Sequence, residues 1–233
     1  VLDRLLLFKL QLVPAHAEAR TSTAVKTPST TGTTRNKFPR MALTYSQMMP
    51  LGTPAPDFRL ADYKGNCVSL SDFKDAPALL VIFICNHCPY VQHVRSTIAK
   101  LTNEYKKRGV AAVAINSNDA QKYPADSPAM MEQEVQAAGY TFPYLVDESQ
   151  TVAKAYRAAC TPEFYLFDKD RKLYYRGRLD SSTPGSKTPT TGEDLHRALD
   201  FLLAGKPAPK EQIPSMGCNI KWKPGNEPDY FNN

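Results

Sequence analysis

The sequence of 233 residues has no uninterrupted apolar run approaching the about 18 residues that an ordinary transmembrane helix requires. Its five cysteines are far too few for a disulfide-dense secreted module. No Gly-rich phosphate loop or Gly-x-Gly-x-x-Gly fingerprint occurs, so nucleotide and flavin binding find no support. A second Cys-x-x-Cys, a His-x-His pair and internal repeats are also missing. Net charge is nearly absent from the body: residues 41–233 hold 22 basic and 21 acidic groups, against seven basic and two acidic in residues 1–40. Five of the six net positive charges therefore belong to the first forty residues, and the body lacks the charge footprint of a nucleic-acid binder.

What remains is the composition of a globular protein, 42% hydrophobic and 22% charged. A chain this long buries a self-sufficient core, so folding requires neither disulfides nor a structural metal. Residues 1–40 form a basic, Thr-rich tail with no acid between Ala19 and Arg40. That composition suits a disordered or organellar transit segment. Leu5–Leu12 and Ala15-His16-Ala17 make a poor secretory signal because Lys9 interrupts the apolar stretch. With Met41 as the true start, a cytoplasmic protein is expected; with a transit segment, an organellar one.

Residues 41–205 read as one domain. Turn residues Asp62–Asn66 between Phe58–Leu60 and Cys67–Leu70 predict an N-terminal hairpin. Ala78–Ile84 is a continuous apolar run, as in a strand buried on both faces. Val91, Val94, Ile98, Leu101 and Tyr105 then recur at helical spacing, with Lys106–Gly109 closing the helix. Strands are predicted at Val110–Ile115, Phe142–Val146, Phe164–Phe167 and Leu173–Arg178. Helices are predicted from Ser127-Pro128 to near Gly139, over Val152–Tyr156 and over 193–204. This alternation argues an α/β fold, a central mixed sheet flanked by helices, with the last two strands as antiparallel edges. Residues 206–233 are a Pro-rich, extended tail whose bulky residues around Cys218 suit packing back on the domain.

Cys85-Asn86-His87-Cys88 stands where the buried strand becomes the long helix. Two cysteines at this spacing are close enough to form a disulfide, and the free N–H groups of a helix start stabilise a thiolate on the first. His87 adds positive charge or a hydrogen bond, and with Asn86 it is expected to tune the pKa and potential of the pair. Cys85 is thus the expected nucleophile and Cys88 the resolving thiol, with no cofactor and no metal required. Haem attachment fails because Pro89, not His, follows Cys88. Cys67 is expected in the core, as are Met130 and Met131, whereas His93 and His196 show no acid or nucleophile partner.

Gly52-x-x-Ala55-Pro56-x-Phe58, the Cys85–Pro89 motif and Thr161-Pro162 together resemble the thioredoxin-like superfamily, in its redoxin (AhpC/TSA-type) branch. The resemblance covers residues 51–205. It implies a thiol–disulfide oxidoreductase whose partners are a protein or small-molecule thiol or disulfide and an upstream dithiol reductant or oxidant. It also implies that Pro162 is cis and that Thr161 and Pro162 hold the substrate beside the redox pair. Two departures stand out: Ile84 replaces the usual Trp before the first cysteine, and Ala78 and Ile82 occupy the Pro and Thr positions of the peroxiredoxin pattern. A peroxidase is therefore the less favoured enzyme, and a non-catalytic interaction module is a third reading. Cys160, beside Thr161, and Cys218, in the tail, are candidates for a thiol relay.

Overall fold

The computed structural model describes residues 43–231; the basic tail, with its targeting readings, lies outside them. Strand β1 (Leu43–Tyr45) is followed by β2 (Arg59–Asp62) and β3 (Cys67–Ser69), which pair antiparallel as the expected hairpin. Its turn is tied by Asp62, whose Oδ1 accepts the N–H groups of Lys64 and Asn66 at 2.8 Å. Cys67 is nonetheless exposed, because β3 is the sheet's edge strand and its thiol faces Arg59 Nε at 3.1 Å. The expectation of a core position is corrected accordingly.

The apolar run forms β4 (Leu79–Phe83), and the long amphipathic segment forms α1 (Pro89–Lys106). Then come β5 (Ala111–Asn116), α2 (Pro128–Ala138), β6 (Tyr144–Val146) and α3 (Thr151–Ala155). Gly139 ends α2 at φ 72°, a left-handed C-terminal turn that glycine adopts without steric cost. Short β7 (Cys160–Thr161), then β8 (Glu163–Phe167), β9 (Leu173–Gly177), α4 (Glu193–Leu203) and β10 (Met216–Asn219) complete the chain.

The main sheet has the order β3-β2-β6-β5-β4-β8-β9. Strands β4, β5 and β6 run parallel, and the remaining neighbours are antiparallel. Only β9 of the last two strands is an edge; β8 lies inside, between β4 and β9. Alternation along β4 divides the core. Leu80 and Ile82 pack with α1, α4 and Met131 of α2 on one face, while Leu79, Val81 and Phe83 pack with α3 on the other. Met130 is exposed, since it precedes Met131 on the helix and points away from that face.

A second sheet, β1-β10-β7, has no counterpart among the sequence-based expectations. The Pro-rich segment after Lys206 supplies its middle strand. Beyond it, Ile220 and Trp222 enter the second face of the core.

Candidate functional site: three thiols around a cis-proline

Ile84–Cys88 crosses from β4 to α1. Pro89 takes the first helical position, where its missing N–H costs nothing, and Cys88 is the N-cap with extended backbone. Cys85 and Cys88 are both buried, at 1% and 0% exposure. Cys85 Sγ lies 3.3 Å from the Thr161 hydroxyl, and the Cys88 thiol donates to the Thr161 carbonyl at 3.2 Å. The Thr161–Pro162 peptide is cis.

Asn86 anchors the crossover. Its N–H donates to Asp126 Oδ1 at 2.7 Å, its side-chain Nδ2 to Ala125 O at 2.8 Å, and its side-chain Oδ1 accepts from the Tyr144 hydroxyl at 3.1 Å. His87 Nδ1–H donates to Asp126 Oδ2 at 2.7 Å, and its ring stacks on Tyr123 with centroids 5.4 Å apart. Asn118 donates to the same oxygen at 2.7 Å. Asp126 thus organises both residues between the cysteines from 40 positions away. An acid after Pro124-Ala125 looks like ordinary turn chemistry, so sequence reasoning passed it over.

Cys85, His87 and Asp126 also bring donor atoms within 4.8 Å of one another, the one such group among the described residues. Both Asp126 oxygens are already occupied by Asn86, His87 and Asn118, which a cation would have to displace.

The charge distribution differs from the expected one. Burial pushes the Cys85 thiol well up, reinforced by its hydrogen bond to Cys88 and the charge of Asp126. Hydrogen bonds from Cys218 and Cys85 instead hold Cys88 far below the ordinary thiol range, helped by Thr161 and the Val91 N–H. The Val91 N–H reaches Cys88 rather than Cys85 because α1 opens at Pro89 and Cys88 caps the helix.

The two relay candidates separate. Cys160 is buried with its thiol 3.8 Å from Glu163 Oε2, and burial together with that carboxylate pushes it well up. Cys218 belongs to β10 and is buried in the same cluster as Cys85 and Cys88. Its register partner across the ladder is Thr161. Glu163, directly after the cis bond, escaped notice inside an apolar strand. It accepts the Ala159 N–H at 2.8 Å and the Tyr165 hydroxyl at 2.8 Å, and burial raises it to about 7. His93 and His196 face hydroxyls, Ser182 at 3.1 Å and Tyr105 at 3.2 Å. Ala78 and Ile82 are wholly buried and apolar, so the hydroxyl at Cys85 comes from Thr161 instead.

Among curated proteins, the chain is 28% identical over 152 residues to the thiol-disulfide oxidoreductase ResA of Geobacillus kaustophilus, covering 65% of this chain and 78% of that protein. The crystal structure of an uncharacterized conserved protein from the same organism is 54% identical. It superposes with a TM-score of 0.77 over 79% of this chain and 98% of that one. A putative thiol:disulfide interchange protein DsbE from Chlorobium tepidum shares the fold, with a TM-score of 0.53 at 21% identity over 66% of this chain and 99% of that one. The architecture is thus the thioredoxin-like one. Residues 50–195 match the Redoxin family, and with more than half of its length inside that match, the chain belongs to the Redoxin family.

Proposed function

We propose that the chain is a thiol–disulfide oxidoreductase working through Cys85 and Cys88. The observation that carries this is the convergence of both thiols on Thr161, beside the cis bond. Two proton arrangements are available to the hydrogen-bonded pair. With the shared proton on Cys85, Cys88 is the thiolate and accepts from Cys85 and Cys218. With that proton on Cys88, its thiol donates to the Thr161 carbonyl, and the Thr161 hydroxyl is left to stabilise Cys85 as the thiolate. Thr161 therefore serves both forms, and moving one proton arms Cys85.

The armed Cys85 attacks a partner disulfide and expels one partner sulfur as thiolate. Cys88 then gives up its proton and attacks Cys85 Sγ, forming the Cys85–Cys88 disulfide and releasing the second partner thiolate. Two electrons pass to the partner, and an upstream dithiol returns them by the reverse steps. A cleft of about 270 Å3, lined in part by Tyr90, Pro162, Arg178 and Met216, opens beside the proline and offers the approach. No helix among the described residues is long and apolar enough to cross a membrane.

Replacing Cys85 or Cys88 by Ser is expected to lower disulfide exchange with a dithiol partner by at least about 100-fold. The Cys88→Ser variant should accumulate a mixed disulfide on Cys85, visible by mass on a non-reducing gel. Exchange at the wild-type rate in either variant would exclude this reading.

A further inference from the structure

In the proposed chemistry, the backbone beside the cis-proline is where a partner strand would align. That edge is already taken. Strand β10 pairs antiparallel with β7, with Cys218 opposite Thr161 and Asn219 opposite Cys160. The approach is so close that a Cβ on Gly217 would fall 2.0 Å from the Thr161 carbonyl oxygen. The following residues are fastened as well. Ile220 N–H donates to Ala159 O at 3.0 Å, Lys221 N–H to Asn118 Oδ1 at 2.8 Å, and Asp119 N–H to Lys221 O at 2.8 Å. The segment therefore runs from the Thr161 edge to the loop that leads to Asp126. It buries Cys218 to 2% exposure with its thiol hydrogen-bonded to Cys88.

We infer that Cys218 is a third redox cysteine: β10 lies where a partner strand would lie, and Cys88 exchanges its disulfide between Cys85 and Cys218. This inference rests on the Cys85–Cys88 reading for its source of disulfide. Once a partner has been reduced, Cys218 attacks Cys88 Sγ of the Cys85–Cys88 disulfide. The bond between Cys85 and Cys88 breaks, one between Cys88 and Cys218 forms, and Cys85 leaves as a thiolate that takes up the proton lost by Cys218. No electrons are gained or lost overall. The hydrogen bond to Cys88 and burial push the Cys218 thiol up; Lys221, three residues further along with its ammonium held by Asn219 Oδ1 at 2.7 Å, works against this by its positive charge. The result parks the oxidising equivalent on the chain's own tail and frees Cys85 for another partner. Cys160, engaged by Glu163, stays outside the exchange.

The test equilibrates the full chain, wild type and Cys85→Ser, across glutathione redox buffers. Samples are quenched in acid, blocked with N-ethylmaleimide and mapped as non-reduced peptides by mass spectrometry. The expected result is a Cys88–Cys218 peptide as the major oxidised species of Cys85→Ser. In the wild type it should coexist with Cys85–Cys88, while Cys160 remains blocked by the reagent. If Cys218 is blocked in full at every potential while Cys85–Cys88 still forms, the inference is overturned and the pair reading stands. If Cys85–Cys88 never forms, both are overturned. Cys160 disulfides as abundant as those of Cys218 would reveal unspecific scrambling and likewise overturn the inference. Should Cys85→Ser fail to fold, the wild-type map decides by the same criteria.

Discussion

Glu163 illustrates how much one residue owes to its surroundings. Its carboxyl is wholly buried, yet both oxygens are occupied, by two backbone N–H groups on one side and the Tyr165 hydroxyl on the other. Burial outweighs these hydrogen bonds and raises it from an ordinary value of 4.5 to about 7. Between those values the folded protein holds a proton that the unfolded chain has lost, so stability is greatest below the lower value and falls as pH rises towards 7. The loss amounts to about 3 kcal/mol across the window. Glu163→Gln keeps the shape and cannot titrate, so urea unfolding measured from pH 4 to 8 should show a flatter profile than the wild type. An unchanged slope would place the titration elsewhere. Asp126 makes the complementary point: it is buried, fixes Asn86 and His87, and raises Cys85 by its charge. Neither acid carries a sequence signal, because a buried carboxylate is recognised by its partners and not by its neighbours in the chain.

At the scale of elements, α1 and the strands of the main sheet were legible because each shows its own periodicity. Val91, Val94, Ile98, Leu101 and Tyr105 are all buried, as their spacing predicted. The Cys-x-x-Cys motif also announced its place between a strand and a helix. The three strands β1, β7 and β10 were not legible. They are two to four residues long, too short for alternation to register, and exist only as one another's partners. Gly217 is the element-scale test. An added methyl at that position meets the Thr161 carbonyl, and overpacking of this kind costs about 1–3 kcal/mol. That cost falls on the seating of β10, so Gly217→Ala should raise the population of the opened strand roughly tenfold or more. Iodoacetamide labelling of Cys85 and Cys88 in the native protein would then accelerate to match, whereas equal rates would mean that β10 does not cover the pair.

The two faces of the main sheet are covered differently in the whole molecule. One carries α1 and α4; the other carries α3 and the end of the tail, where Ile220 and Trp222 are buried and Trp222 meets Tyr230 edge to face. The tail after Lys206 is thus part of the core as well as a cover for the thiols. Trp222→Ala removes its largest side chain and should destabilise the protein by about 3–5 kcal/mol in denaturant unfolding followed by far-UV circular dichroism. A loss within experimental error would show that the tail contributes little to folding. Trp222 is also the sole tryptophan of the chain, so its fluorescence in the wild type reports on the seating of this segment.

The sequence by itself determined the α/β class, the order of the main strands and helices, and the place of the Cys-x-x-Cys motif at the start of a helix. These follow from local causes: a hydrophobic period, a turn, a proline at the first helical position. Only the tertiary structure gathered the hydrogen bonds of Cys218, Cys85 and Thr161 on Cys88 and set Asp126 to hold the motif. It alone placed Cys218 on the edge beside the cis-proline. Each of these depends on groups far apart in the chain, brought together by burial of the tail's apolar side chains and by pairing of strands too short to form alone.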